Sequence, residues 1–252
     1  MMRKIIACLD IKDGRVVKGV NFVNLRDMGN PVELAQYYSD QGIDELVFLD
    51  IARSDDRHDL MLQTIREVTQ AIEIPLTVGG GITSVEEVAA LLAAGADKVS
   101  ISSAAIRRPD LINEVSHRFG PERLTLAIDT GYDETADDYY IYSQGGRQKE
   151  NWTLTAWAKE VEKRGAGSLL VTSIQHDGVK QGFDLAALKK VKEVVKIPVI
   201  ASGGAGQIKD FVDLFQQTEI EAGLAASIFH QQTVKVPELK ANLKAEGIEV
   251  NQ

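Results

Sequence analysis

A chain of 252 residues, 44% hydrophobic and 26% charged, is long for a simple domain but ordinary for one closed α/β barrel of roughly 250 residues. Residues 1–252 are therefore expected to form a single domain. A formal net charge of −9 argues against broad nucleic-acid or anionic-membrane binding, while leaving room for small local phosphate sites.

Taken in order, the chain alternates short apolar runs with longer stretches at helical spacing. Strands are expected near 5–10, 45–51, 75–79, 97–101, 124–129, 167–173, 197–202 and 222–226. Amphipathic helices are expected near 31–41, 58–72, 84–94, 108–118, 153–164, 184–195, 207–217 and 236–246. Continuous apolar strands suit a parallel sheet buried on both faces, and eight β then α units close most simply into a (β/α)8 TIM barrel. An open doubly wound sheet competes, but nothing marks a strand-order reversal. Asn30-Pro31, Ser84 and Pro109 punctuate helix starts, while Gly42, Gly95 and Gly165 follow helices. Ile74-Pro75 and Ile197-Pro198 lead into the third and seventh strands, with each proline read as a first strand residue.

The halves repeat. ELVFLDI at 45–51 parallels SLLVTSI at 168–174, and IPLTVGGGI at 74–82 parallels IPVIASGGA at 197–205, both offset by 123. IIACLD and LTLAID end the first and fifth strands in Asp10 and Asp129, 129 − 10 = 119 residues apart. A duplicated half-barrel puts these two aspartates on opposite sides of one mouth. Carboxylates there suit a general acid and a general base, provided their surroundings differ.

Strand C-termini form the active face of a parallel barrel, which selects the remaining candidates. Gly79 to Gly81 and Ser202 to Gly206 are glycine clusters whose backbone N–H groups can point at an anion. Each is followed one unit later by hydroxyl residues at a helix start, Ser102-Ser103 and Ala226-Ser227, where unpaired N–H groups favour phosphate. Gly81, Ser102, Ser103, Thr172, Asp177, Gly178, Gly203, Gly204, Ala226 and Ser227 are thus candidate substrate or phosphate contacts, in two opposed sites. Lys18 either reaches an incoming phosphate or stays solvated, and Asp50 and Asp177 each either contact substrate or hold a loop. The four histidines, His58, His117, His176 and His230, show no ligand spacing, so neither metal nor cofactor is expected. Cys8, the one cysteine, excludes an internal disulfide and reads as a buried, inert thiol. No apolar run approaches the roughly 20 residues of a membrane span. The start of the chain turns acidic too soon for a signal peptide, so a cytoplasmic protein is expected.

ACLDIKDGRVVKG, DELVFLDI, TVGGGI, GADKVSI, HDGVKQGFD, IASGGAG and AASIFH together resemble the cyclase subunit of imidazole glycerol phosphate synthase, over almost the whole chain. The resemblance implies a barrel enzyme of histidine biosynthesis. Such an enzyme takes ammonia from a glutaminase partner docked at the N-terminal end of the barrel, as a heterodimer. With it, the ribulosyl form of phosphoribosyl-formimino-aminoimidazole-carboxamide ribonucleotide becomes imidazole glycerol phosphate and aminoimidazole carboxamide ribonucleotide. That substrate carries a phosphate at each end. The resemblance implies Asp10 and Asp129 as the acid/base pair, and Gly81, Ser103, Gly178, Gly204 and Ser227 as phosphate contacts. It implies Lys4, Glu45 and Lys98 as an ammonia gate, with Ser168 where a glutamate is usual. The related isomerase that makes this substrate, and a non-catalytic partner-binding barrel, are the competing readings.

Overall fold

The computed structural model describes residues 2–20, 23–51 and 58–251. Eight parallel strands carry the fold: β1 (Lys4–Lys12), β4 (Glu45–Asp50), β5 (Leu76–Gly79), β6 (Lys98–Ile101), β7 (Leu124–Asp133), β10 (Ser168–Ser173), β11 (Val199–Ser202) and β12 (Ala222–Ala225). They pair in that order, β7 with β10 and β12 back onto β1, so the sheet closes. Between them run α1 (Pro31–Asp40), α2 (His58–Ala71), α3 (Val85–Ala93), α5 (Asp110–Phe119), α6 (Leu154–Lys163), α7 (Leu185–Lys192) and α8 (Ile208–Gln217), with α10 (Val236–Ala245) after the last strand. This is the (β/α)8 barrel.

Helix starts form where the sequence marks them. The Asn30 side chain accepts from the Val32 and Glu33 amides, Ser84 and Glu87 make a reciprocal capping box, and Thr153 and Asp184 cap α6 and α7. The prolines differ slightly from expectation. Pro75 and Pro198 stand just ahead of the first paired residues, where their carbonyls accept from Leu46 and Leu169 without asking the missing N–H for a bond.

Two apolar layers follow from strand alternation. Ile5, Ala7, Leu9, Leu46, Phe48, Leu76 and Val78 face the helices in the main core, whereas Ile6, Cys8, Val47, Leu170, Ile200, Ala222 and Leu224 fill the barrel interior as a separate cluster.

The duplication is written into the pairing register. Leu46 lies opposite Leu76 and Leu49 opposite Gly79; adding 123 to each gives Leu169 opposite Val199 and Thr172 opposite Ser202. The glycine turns repeat as well. A Cβ at Gly80 (φ 104°) would lie 2.2 Å from the Asp50 carbonyl oxygen, and one at Gly203 (φ 84°) 2.8 Å from that of Ser173. Both positions need glycine because φ is positive and the neighbouring backbone leaves no room.

Among the described residues, four strands and two α-helices escape the periodicity. β2 (Arg15–Val20) and β3 (Val23–Gly29) form an antiparallel hairpin on the extended end of β1, and β8 (Asp138–Ser143) and β9 (Gln148–Thr153) do the same on β7. Asp10 and Asp129 therefore do not end their strands: β1 runs two residues further and β7 four, because Asp10 pairs with Val17 and Asp129 with Tyr142. The other two are single-turn helices, α4 (Ser103–Arg107) and α9 (Ser227–His230), following β6 and β12.

Candidate active site

Asp10 and Asp129 stand at matching heights on β1 and β7, one opposite Leu49 of β4 and the other opposite Thr172 of β10. Their surroundings differ, as an acid and a base require. Asp10 is 5% exposed, and its Oδ2 is 3.0 Å from the Lys18 ammonium on β2. Lys18 is thus neither solvated nor free for a phosphate in this conformation; the hairpin folds it back over the mouth onto the carboxylate. Burial works against the charge on Lys18, and the Asp10 carboxylate more than offsets it, holding the ammonium above its ordinary pKa.

No described group donates a hydrogen bond to the Asp129 side chain. Desolvation, then the negative Asp177 nearby, raise its pKa from 3.8 to about 6. Asp177 lies on the loop after β10, open to solvent at the mouth. Its pKa is also raised, by desolvation and by Asp10 against the pull of Lys18. Three carboxylates and one ammonium thus share the mouth.

The glycine and hydroxyl candidates fall into two groups. In the first, Gly81 (φ 64°) follows β5, Ser102 precedes α4 without a side-chain cap, and Ser103 opens α4 with its Oγ accepting from the Gln144 amide at 3.0 Å. In the second, Gly203 and Gly204 follow β11, Gly178 (φ 75°) follows Asp177, and Ala226 and Ser227 open α9. Gly204 packs close to the Gly182 carbonyl, which ties the loop carrying Gly178 to the glycine turn. Thr172 sits between these groups and Asp129, next to Ser202 in register. Asp50, directly after Leu49 on β4, lies against the Gly80 turn.

Sequence reasoning missed three residues that shape the mouth. Gln175 bonds both the N–H and the C=O of Tyr132, at 2.8 and 3.1 Å, extending the β7–β10 ladder with a side chain. Asp184, 7% exposed, accepts from Tyr139 Oη and Ser173 Oγ while capping α7, which anchors the β8–β9 hairpin. His230 joins α9 to β1. Asp184, ahead of a helix, carried a capping signal; Gln175 and His230 carried none. Cys8 is buried, and burial raises its thiol pKa far above the usual range, in keeping with an inert thiol.

At the other end of the barrel, the first residues of four strands meet. Glu45, 1% exposed, takes both carboxylate oxygens to Lys98 Nζ (2.9 and 2.8 Å), accepts from Thr77 Oγ1 at 2.8 Å, and lies 3.7 Å from Lys4 Nζ. Ser168 Oγ is 2.8 Å from Thr125 Oγ1. One carboxylate holds two ammonium groups, and a neutral hydroxyl pair fills the far side.

Among the described residues no helix is long and apolar enough to cross a membrane, and no three His, Cys, Asp or Glu side chains form a metal-sized cluster.

Residues 4–235 match the model of the family described as histidine biosynthesis protein. The chain is 51% identical over 248 residues to the imidazole glycerol phosphate synthase subunit HisF of Staphylococcus saprophyticus, with 98% of each chain covered. It is 52% identical over 248 residues to that subunit from Anoxybacillus flavithermus, again with 98% of each covered. The same subunit from Halalkalibacterium halodurans is 52% identical over 250 residues, 99% of each chain. A closed barrel with paired carboxylates at one mouth, matched end to end at this level of identity, belongs to the histidine biosynthesis protein family and groups with its HisF subunits.

Proposed function

We propose that this chain is the cyclase subunit of imidazole glycerol phosphate synthase, working in histidine biosynthesis. The observation that carries the reading is the full-length identity to HisF subunits. The site chemistry agrees with it. Ammonia adds to the ketose carbonyl, whose oxygen leaves as water, and ring closure breaks the C–N bond to aminoimidazole carboxamide ribonucleotide, so protons must be delivered to the departing oxygen and amine nitrogen and taken from the incoming nitrogen. Asp129, with a pKa raised to about 6, is suited to hold and release a proton near neutrality. Asp10, paired with Lys18, supplies the carboxylate across the mouth.

The two phosphates of the substrate fit the two glycine and hydroxyl groups: Gly81, Ser102 and Ser103 at one end, and Gly178, Gly203, Gly204, Ala226 and Ser227 at the other. Held at both ends, the substrate lies across the two aspartates, so that positioning contributes alongside proton transfer. Thr172 and Asp177 line the path between. Lys18 can exchange Asp10 for a substrate phosphate if the hairpin moves.

We further read the ring of Lys4, Glu45, Lys98 and Ser168 as the point where ammonia from a glutaminase subunit enters the barrel interior. The inner cluster of Ile6, Cys8, Val47, Leu170, Ile200 and Leu224 would then form a path that suits a small neutral molecule better than an ion. The test is substrate choice: the purified chain with ammonium at high pH should cyclise the doubly phosphorylated ketose. Rapid conversion of its aminoaldose precursor with no cyclisation would instead mark the isomerase.

A further inference from the structure

His230 closes α9, the four-residue helix opened by Ser227. Its two ring nitrogens reach two other elements. Nε2 is 3.1 Å from the Cys8 carbonyl on β1, and Nδ1 is 2.7 Å from the Tyr38 hydroxyl on α1. The Cys8 carbonyl can only accept, so Nε2 carries the proton and Nδ1 accepts from Tyr38. Tyr38 is 2% exposed, and its ring meets the imidazole edge-on with centroids 5.8 Å apart. Burial, and then the positive Lys18, lower the His230 pKa to about 4, so the ring is neutral at physiological pH.

The duplicated architecture supplies an internal control. The offsets of 123, 124 and 119 residues that superpose the halves place Val161 opposite Tyr38, Ile106 opposite His230 and Ala127 opposite Cys8. All three are apolar: Val161 is fully buried, while Ile106 and Ala127 pack against the two apolar clusters. At those three positions apolar packing stands where the other half has hydrogen bonds. A buried hydroxyl–imidazole–carbonyl chain occurs at the matching place in the other half, which joins the Ser227 turn to the strand of Asp10.

We propose that His230 is a positioning residue for the cyclase reaction. By donating to the Cys8 carbonyl, two residues before Asp10, it fixes the distance between the phosphate-side helix and the catalytic carboxylate. Tyr38 selects the tautomer that makes this bond. The proposal rests on the cyclase reading.

Side chains of two lengths separate the linkage from simple filling of space. A Gln side-chain amide at position 230 reaches the Nε2 location and can donate to Cys8. Asn places its oxygen at the Nδ1 location, satisfying Tyr38 and leaving Cys8 unpaired. Ammonium-driven turnover of the ketose is measured for wild type, His230→Ala, His230→Gln and His230→Asn, with inorganic phosphate binding as a second readout. His230→Ala and His230→Asn should lower kcat about tenfold or more with KM and phosphate affinity within about threefold, since small misplacements cost rate before binding. His230→Gln should recover most of that loss. The Gln and Asn variants decide the matter even if the alanine variant fails to fold. Equal kcat for Gln and Asn, or a change confined to KM, would overturn the positioning role. Absence of cyclisation by the wild-type chain would remove the cyclase reading, and this role with it.

Discussion

Replacing Asp129 by Asn should make the protein more stable above pH 6 while stopping the reaction. Asp129 receives no hydrogen bond from a described group, and its pKa rises from 3.8 to about 6 on folding. Below about pH 3.8 the carboxyl is protonated in both states and contributes nothing. Between there and pH 6 the unfolded chain releases its proton first, so stability falls as pH rises; above pH 6 the loss is complete. The difference, 6 − 3.8 = 2.2, corresponds to at most about 3 kcal/mol at about 1.4 kcal/mol per unit. Asp129 is partly open to the mouth, where water screens the charge, so about 1–3 kcal/mol is expected. For a chain of this size that amounts to roughly 2–4 °C of melting temperature per kcal/mol. Thermal unfolding of both proteins at several pH values between 4 and 8 measures it. The melting curves should nearly coincide near pH 4, separate in favour of Asn by pH 6.5, and then stay parallel. A constant gap across the range, or a less stable Asn variant at pH 7.5, would refute the argument that desolvation sets the state of Asp129.

The ring at the N-terminal end gives a prediction of opposite sign: Glu45→Ala leaves Lys98 without its partner and should cost about 3 kcal/mol in urea unfolding. The glycine turns should rank by clearance. Gly80→Ala, whose Cβ would lie 2.2 Å from a carbonyl oxygen, should destabilise more than Gly203→Ala at 2.8 Å, each by about 1–3 kcal/mol or more. Cys8 should resist alkylation for hours in native protein at pH 8 and react within minutes in denaturant, since burial keeps its thiol protonated; mass spectrometry reads both.

The barrel was legible because its physics is periodic. Short apolar runs such as Leu46–Leu49, alternating with longer stretches at helical spacing, read as buried strands, and the 123-residue offset showed which turns correspond. The two aspartates and both glycine clusters were legible for the same reason, since the strand C-termini pre-select one face. The hairpins after β1 and β7 were not. Arg15–Val20 is only six residues long, and Gln148–Thr153 is polar and largely exposed; the hairpins form because β1 and β7 run on past the barrel and offer free edges to β2 and β8. For that reason Asp10 and Asp129 look like strand ends in the sequence. The Lys18–Asp10 ion pair was hidden likewise: Asp10, eight residues away, becomes a neighbour only when the hairpin folds back. His230 acts across 222 residues to Cys8, a separation at which local pattern carries no information.

The most direct test of the central claim is ammonium-driven turnover of the doubly phosphorylated ketose by the wild-type chain beside Asp10→Asn and Asp129→Asn. Both variants should bind the substrate and lose about 10²–10⁴-fold in kcat, the range expected for removing a general acid or base. Undiminished turnover in either variant would contradict the assignment of these two carboxylates as the acid/base pair.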